Sequence, residues 1–125
     1  MKTIVQTPDA PAPIGPYSQA VKSGSTLYVS GQIAIDPASG ELINDSIENE
    51  TRQVMKNLGA ILSEAGMNFS HVVKCSIFVT DMNNFAKVNA VYGEFFTSNP
   101  PARETVEVSA LPKFVNVEIS CIAIS

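Results

Sequence analysis

Two charged residues near the C-terminal end of the chain have surroundings that could support chemistry. Arg103 follows Pro100 and Pro101 at the start of a strand-like run, and Glu118 lies inside the apolar run 115–123. A guanidinium group can bind a carboxylate through two parallel hydrogen bonds, and a nearby glutamate can hold or deprotonate a water molecule. The alternative is an ion pair between exposed side chains, which contributes only ~0–1 kcal/mol. Spacing alone leaves both interpretations open.

The alternation of side chains along these two strands indicates which residues share a face. In the last run, one face receives Val115, Val117, Ile119, Cys121 and Ala123, and the other receives Asn116, Glu118, Ser120, Ile122 and Ile124. The second face is half polar and half apolar, as expected of a subunit interface lined by a few functional groups. Arg103, Thr105 and Glu107 also share one face. If the two strands are neighbours, Arg103 and Glu118 can approach one polar pocket.

The other elements must supply a sheet and the helices that cover it. Two amphipathic helices are predicted from apolar stripes, the first made of Val54, Leu58, Ile61, Leu62 and Ala65 within 46–66, and the second of Phe85, Val88, Tyr92, Phe95 and Phe96. Strands are predicted at 3–6, 17–22, 26–29, 71–79, 105–108 and 115–123. Gly31 interrupts a strand pattern, which predicts a bulge or the close approach of another group. The order β-β-β-α-β-α-β-β predicts an α+β domain in which both helices cover one face of a mixed sheet.

Composition limits the class of protein. A chain of 125 residues predicts one domain spanning residues 1–125, and its net charge of −4 and pI near 4.8 argue against a nucleic-acid or anionic-membrane surface. The N-terminus has no apolar secretion signal and no stretch is apolar enough to span a membrane, so a cytoplasmic location is expected. Cys75 and Cys121 are interpreted as small buried side chains, and the single histidine, His71, offers no zinc cluster.

Several segments of the chain carry motifs that agree with one another in order and spacing. They are IGPYSQAV (14–21), SGQIAIDPASGEL (30–42), SIFVTDMNNFAKVNAVYGEFF (76–96), PARETVEV (101–108) and LPKFVNVEISCIAI (111–124). Together they resemble the reactive intermediate deaminase family, also called the Rid or YjgF family, over essentially the whole chain.

The resemblance implies a fold, an assembly and an activity. Members of this family have a chorismate-mutase-like α+β fold and form homotrimers through the uncovered sheet face, with clefts between subunits. The deaminase branch hydrolyses enamines and imines that escape from PLP-dependent dehydratases, and it releases a 2-keto acid and ammonia. No cofactor and no metal are expected, and 2-iminobutanoate and 2-iminopropanoate are the expected type of substrate. Neither a nucleic-acid partner nor a membrane partner is expected.

The resemblance also assigns roles to individual residues. Arg103 and Glu118 fall on the catalytic positions, where Arg103 also binds the substrate carboxylate and Glu118 positions the attacking water. The remaining substrate-binding positions are Tyr17, Ser30, Gly31, Asn89 and Thr105, the last through its main-chain carbonyl. Taken singly, such residues are more often structural than functional: Tyr17 a packing tyrosine, Ser30 a locally satisfied hydroxyl and Asn89 a surface amide.

This chain departs from the pattern of the family at two positions, and one other function is compatible with the same residues. Many relatives have a cysteine where this chain has Thr105, and the connection 97–100 is a few residues shorter than in some of them. The rival is a protein that binds a 2-keto acid through Arg103 without turning it over. Ribonuclease activity, which has also been described in the family, fits poorly with an acidic chain that has one histidine.

Overall fold

The computed structural model describes residues 1–125, and it contains the predicted order of strands and helices. The strands are β1 (Lys2–Val5), β2 (Ala20–Ser23), β3 (Thr26–Gln32), β4 (Val72–Val79), β5 (Ala102–Glu107) and β6 (Val117–Ile124). The helices are α1 (Ile47–Glu64) and α2 (Phe85–Tyr92). The α+β class and the mixed sheet are therefore confirmed.

The first helix begins and ends where its sequence predicts. Ser46 is the N-cap of α1, and its side chain accepts a hydrogen bond from the main-chain N–H of Asn49. Gly66 follows the helix with φ +73°, a left-handed conformation that glycine adopts without steric cost. The second helix is shorter than its stripe suggested, because it ends at Tyr92 while Phe95 and Phe96 pack against the core from the following turn.

All six strands form one sheet in the order β1-β2-β3-β6-β4-β5. Only β4 and β5 run parallel, and β5 is an edge strand. β4 therefore lies between β5 and β6, so the condition under which Arg103 and Glu118 could approach one pocket of a single chain, that their strands are neighbours, is not met.

One face of the sheet packs against both helices, and we call it the covered face. Along β6 it presents Val117, Ile119, Cys121 and Ala123, which are all buried in one core with the apolar stripe of α1. Both cysteines are free and buried in this core, as the sequence predicted.

The opposite face, which we call the open face, carries the other half of the alternating pattern. Glu118, Ser120 and Ile122 on β6 are only partly buried there, which confirms the predicted alternation. Large apolar side chains remain exposed on the same face, namely Tyr28, Val106 and Ile124. No helix in the chain combines the length and the apolar character needed to cross a membrane.

Candidate active site

Glu118 lies on the open face, directly against the main chain of β3. The pairing of β3 with β6 shifts register between Val29 and Gln32, and Gly31 lies within that irregularity. A Cβ atom at Gly31 would be 2.8 Å from Cδ and 2.9 Å from Oε2 of Glu118. Such distances are too short for any side chain, so Glu118 can occupy this position only because residue 31 is glycine. Of the two alternatives predicted for Gly31, a bulge or a close approach, the close approach is confirmed, and the register shift is a bulge or irregularity at the same place.

Glu118 also forms part of the wall of a pocket of about 330 Å³, together with Tyr17, Ser30 and Gly31. These four residues are one part of the predicted site that the structure brings together. The rest of the wall is mostly apolar and includes Pro11, Ile14, Ile33, Ile35 and Pro112. Burial beside this wall raises the pKa of Glu118 above the ordinary range of a glutamate, because desolvation disfavours the charged form.

The polar groups of Tyr17 and Ser30 have partners within the chain. The Tyr17 hydroxyl accepts a hydrogen bond from the main-chain N–H of Ile14 at 3.3 Å, and about half of its side chain is exposed. The Ser30 hydroxyl donates to the main-chain carbonyl of Ser18 at 2.6 Å. This bond uses the hydroxyl proton of Ser30, so its oxygen remains available to a bound molecule only as an acceptor.

Gln19 holds the proline-rich wall of the pocket in place, and the sequence did not identify it. Its buried side-chain amide accepts from the N–H of Thr7 at 2.7 Å. The same amide donates to the carbonyls of Thr7, Ala10 and Pro11 at 3.0, 3.2 and 2.9 Å. Prolines lack a main-chain donor, so a segment rich in them depends on such side chains for its hydrogen bonds. The available signal was a glutamine directly before a short strand and close in sequence to a proline-rich segment.

Arg103 lies on the covered face at the edge of the sheet, beside α2. Its Nη1 donates to Oδ1 of Asn89 at 2.8 Å, so these two predicted site residues are in contact. Its guanidinium carbon lies 5.0 Å from the ring centroid of Tyr92 and 5.6 Å from that of Phe85. Both distances suit cation–π attraction.

Phe85, Asn89 and Tyr92 together form the surface of α2 that holds the guanidinium, at positions i, i+4 and i+7 of one helical face. The two aromatic residues were predicted only as part of an apolar stripe. The signal that could have identified their second role is the asparagine within that stripe.

The Arg103 cation has no carboxylate partner within the chain. The ion pairs of the chain are Arg52–Glu94 and Lys74–Glu104, and both are on the surface. A half-buried guanidinium with one amide and two aromatic faces around it retains donors for a further acceptor. The exposed ion pair that the spacing left open is therefore not what Arg103 forms.

Thr105 follows Arg103 on the same edge strand. Its side-chain hydroxyl is buried and has no hydrogen-bond partner. The main-chain N–H of Val108 donates to the carbonyl of Val79, so the main-chain groups of Val108 face β4. Along an edge strand, only every second residue directs its main-chain groups toward the neighbouring strand. The main-chain carbonyl of Thr105 is consequently directed away from β4, which is compatible with the carbonyl role expected for it.

Arg103 and Glu118 lie on opposite faces of the sheet. Cys75 on β4 pairs with both Arg103 and Cys121, which places Arg103 on the covered face. Glu118 pairs instead with Phe78, on the open face. One copy of the chain therefore does not bring the two charged groups into one pocket. Neither the surroundings of Arg103 nor the pocket beside Glu118 contains a group of three or more His, Cys, Asp or Glu side chains that could hold a metal ion.

Comparison with known proteins supplies relatives over nearly the full length. The family model described as Endoribonuclease L-PSP matches residues 7–125. A RutC family protein of Pyrococcus horikoshii is 51% identical over 98% of this chain and 98% of its own. The human protein named 2-iminobutanoate/2-iminopropanoate deaminase is 45% identical over 99% of this chain and 90% of its own.

The fold has equally similar solved counterparts. The crystal structure of a protein of the Rid family from Yersinia pestis superposes with a TM-score of 0.97, at 48% identity, over 100% of both chains. Sequence, family model and fold agree over the same residues, and the chain belongs to the reactive intermediate deaminase (Rid/YjgF) family.

Proposed function

We propose that this protein hydrolyses 2-imino acids and their enamine tautomers, of the size of 2-iminopropanoate and 2-iminobutanoate, to 2-keto acids and ammonia. The observation that carries this proposal is the pair of unpartnered charges: a guanidinium without a carboxylate at Arg103, and a desolvated carboxylate without a cation at Glu118. A 2-imino acid offers a carboxylate for the first and an electrophilic carbon, with an attacking water, for the second.

We infer that the complete site forms between copies of the chain in a homotrimer. Arg103 and Glu118 lie on opposite faces of the sheet, so a second copy must supply one of them. The open face carries exposed Tyr28, Val106 and Ile124, which are apolar groups of the kind that interfaces bury. A cleft of this type combines two halves from neighbouring subunits. The Arg103 half of one subunit consists of Arg103, Thr105 and the α2 residues Phe85, Asn89 and Tyr92, and the Glu118 half of the other consists of Glu118, Gly31, Tyr17 and Ser30.

The reaction requires three steps, and a residue of the proposed site can carry out each of them. Arg103 binds the carboxylate of the substrate and so fixes the orientation of the neighbouring C=N carbon. Glu118 accepts a proton from the attacking water, which forms a bond to that carbon and leaves a tetrahedral carbinolamine. Because the imine nitrogen enters protonated, this carbinolamine is neutral. The protonated Glu118 gives its proton to the carbinolamine nitrogen, and the carboxylate so formed takes the proton of the new hydroxyl group as the C–N bond breaks, so that ammonia leaves and the 2-keto acid forms. The raised pKa of Glu118 makes it a stronger base than an exposed glutamate.

Tyr17, Ser30 and Thr105 complete the proposed cleft around the substrate. The exposed ring of Tyr17 closes the pocket mouth, and the acceptor oxygen of Ser30 can receive a hydrogen bond from the imine nitrogen. The free carbonyl of Thr105 holds the attacking water together with Glu118. Asn89 fixes the guanidinium of Arg103.

The proposal favours turnover over simple binding because of Glu118. A protein that only binds a 2-keto acid gains nothing from a carboxylate near a bound anion, since the two negative charges repel each other. The ribonuclease activity named in the family description has less support here. The only histidine, His71, accepts a hydrogen bond from Asn68 in a surface turn and is absent from the lining of the pocket.

The test is ammonia release from an imine generated in the assay by an amino-acid oxidase or a threonine dehydratase. The wild-type protein is expected to accelerate release, and Arg103→Ala is expected to lower kcat/KM by about 100-fold or more, because it removes the carboxylate contact. Arg103→Lys is the matched variant. It keeps the charge but not the planar fork, so it should recover only a small part of the loss.

Two results would contradict the proposal. One is a wild-type protein that binds a 2-keto acid in calorimetry but does not accelerate ammonia release, which supports the binding function instead. The other is an Arg103→Ala variant with the wild-type rate. The oligomeric state of each variant, measured by light scattering, separates loss of the site from loss of the assembly.

A further inference from the structure

Glu50 is a fully buried carboxylate to which the proposed reaction gives no role. It lies in the first turns of α1, and its side chain has no exposed surface. Glutamate is almost never fully buried without a partner, and Glu50 forms no ion pair. A buried charge requires several hydrogen bonds to remain stable, so the groups that bind it identify its task.

Three hydrogen bonds join Glu50 to the beginning of β6. Its Oε2 accepts from the main-chain N–H of Asn116 at 2.8 Å and from that of Val117 at 3.1 Å. Its Oε1 accepts from the side-chain Nδ2 of Asn116 at 2.8 Å. The positive end of the α1 dipole adds a favourable field at the same carboxylate. Glu50 therefore fixes the two residues that immediately precede Glu118.

Very little freedom remains for Glu118 once these residues are fixed. The carbonyl of Asn116 accepts from the N–H of Thr80 at 3.2 Å, so the segment is held from β4 as well as from α1. On its other side, Glu118 touches the Gly31 main chain so closely that no Cβ would fit between them. A small displacement at 116–117 therefore alters the contact between Glu118 and β3 directly.

We propose that Glu50 is a positioning residue, which sets the location of the Glu118 carboxylate through the main chain of Asn116 and Val117. The effect of Glu50 on catalysis that we infer here rests on the proposed function. Glu50 itself does not touch the substrate, and it lies on the side of the sheet covered by α1.

The chain offers graded substitutions at this position. Glu50→Leu removes all three acceptor contacts. Glu50→Asp keeps the charge but shortens the side chain by one methylene, so the carboxylate cannot keep all three contacts without moving the strand. Glu50→Gln is the conservative variant, because its single oxygen can accept both main-chain bonds while the Asn116 amide turns to accept from the new NH₂ group.

The expected result is a loss in kcat without a loss in substrate binding. Glu50→Leu should lower kcat by about 10-fold or more and Glu50→Asp by about 5-fold, with KM within about 2-fold, because Arg103 is unaffected. Glu50→Gln should restore at least half of the wild-type kcat. If Glu50→Leu does not fold, Glu50→Asp carries the test.

The matched control is Leu62→Ala on the same helix. Leu62 is fully buried in the core and lies 12 positions, about 18 Å, further along α1. It should lower the melting temperature at least as much as Glu50→Asp while leaving kcat of the folded protein unchanged. The inference is overturned if Glu50→Asp has the wild-type kcat, or if Leu62→Ala loses as much kcat as the Glu50 variants.

A spectroscopic measurement separates this inference from the proposed function. The ¹³C signal of the Glu118 side-chain carboxyl should move in Glu50→Asp and Glu50→Leu, and it should remain in place in Leu62→Ala and Glu50→Gln. A protein without deaminase activity would refute the proposed function, while this signal would still decide whether Glu50 positions Glu118. An unmoved signal in Glu50→Asp overturns the inference.

Discussion

The pocket beside Glu118 and the strand edge around Arg103 each hold one charge without a counter-charge, but by different means. Glu118 lies against a glycine in a largely apolar pocket, where desolvation disfavours its charge. Arg103 lies between two aromatic faces and one amide oxygen, all of which favour a cation. The first environment destabilises the ionised group that it holds, and the second stabilises it.

This difference matches the two tasks of the proposed site. A base becomes stronger when its surroundings raise its pKa, so an apolar pocket suits Glu118. An anchor for a carboxylate must stay charged and keep its geometry, so rings and an amide suit Arg103 because they hold the cation without neutralising it. The separation of the two environments on opposite faces lets each form without the other, and the proposed homotrimer would bring them together.

The largest expected effect is the recovery of activity when two inactive variants are combined, which tests whether the two charged groups of one site come from different subunits. Arg103→Ala and Glu118→Ala should each be nearly inactive alone. When equal amounts are unfolded and reassembled together, about a quarter of the clefts should receive Arg103 from one parent and Glu118 from the other, and activity should return to that extent. The measurement is ammonia release before and after mixing, with each parent treated alone as the control.

A second mixture distinguishes sites within one chain from sites between chains. The double variant Arg103→Ala/Glu118→Ala, unfolded and reassembled in equal amount with wild-type protein, should leave about a quarter of the clefts intact if two subunits form each site. It should leave about half intact if each site belongs to one chain. A value near half, together with no recovery in the first mixture, would refute the division between subunits.

The Glu118 half can be disrupted from the β3 side by a single methyl group. Gly31→Ala places a Cβ where the Glu118 carboxylate now lies and forces this flexible side chain into another conformation, so we expect a loss of about 0.5–1.5 kcal/mol in the free energy of unfolding. We also expect kcat to fall by about 10-fold, because the displaced base no longer meets the water. Denaturant unfolding measures the first effect, and the coupled assay measures the second.

A double-mutant cycle shows whether the clash with Glu118 is the cause. In a Glu118→Ala background, Gly31→Ala should cost much less stability, since the colliding carboxylate is gone. Gly15→Ala is the matched control, because its Cβ would meet the Tyr17 ring at 3.5 Å, an ordinary contact distance. Equal costs of Gly31→Ala in both backgrounds would mean that main-chain strain, and not Glu118, requires the glycine.

The desolvation of Glu118 predicts how stability changes with pH. The folded protein raises the pKa of this acid above its unfolded value, so the folded state binds its proton more tightly. Its contribution to stability is present below the unfolded pKa, near 4.3, and is lost as the pH rises through the folded pKa. Glu118→Gln should therefore have a higher melting temperature than wild type at pH 8, by less than the Gly31 effect.

The same comparison at low pH checks the cause. At about pH 4 the wild-type carboxyl is largely protonated in both states, so the advantage of Glu118→Gln should disappear. An advantage of equal size at both pH values would show that charge is not its source. The activity of the wild-type protein should rise with pH over the same range, because only the ionised carboxylate accepts a proton from water.

Local patterns predicted the Glu118 half well, because period-two alternation and a glycine in a strand are properties of short segments. Alternation placed Glu118 on the open face, and the interruption at Gly31 predicted the close approach that the structure contains. Neither inference required knowledge of the strand order. The contact between them follows from the pairing of β3 with β6, which no local pattern specifies.

The Arg103 half was predicted less completely for the same reason. The insertion of β4 between β5 and β6 is a long-range feature, and the register of these pairs places Arg103 on the face opposite Glu118. The role of Phe85 and Tyr92 depends on how α2 crosses the edge of the sheet. Their spacing alone describes an apolar stripe, so only the tertiary structure gives them a second partner.

The smallest expected effect tests whether the Arg103 half works because its cation is unpaired. Asn89→Asp replaces the amide oxygen, now 2.8 Å from Nη1, by a carboxylate that pairs with the guanidinium and competes with the substrate carboxylate. KM should rise by about 3- to 10-fold with kcat within about 2-fold, and added salt should reduce the difference because it screens the new pair. Asn89→Ser, which adds no charge, is the control and should change KM by less. An unchanged KM in Asn89→Asp would mean that the substrate carboxylate does not depend on the free charge of Arg103, and the contrast between the two halves would then not explain the chemistry.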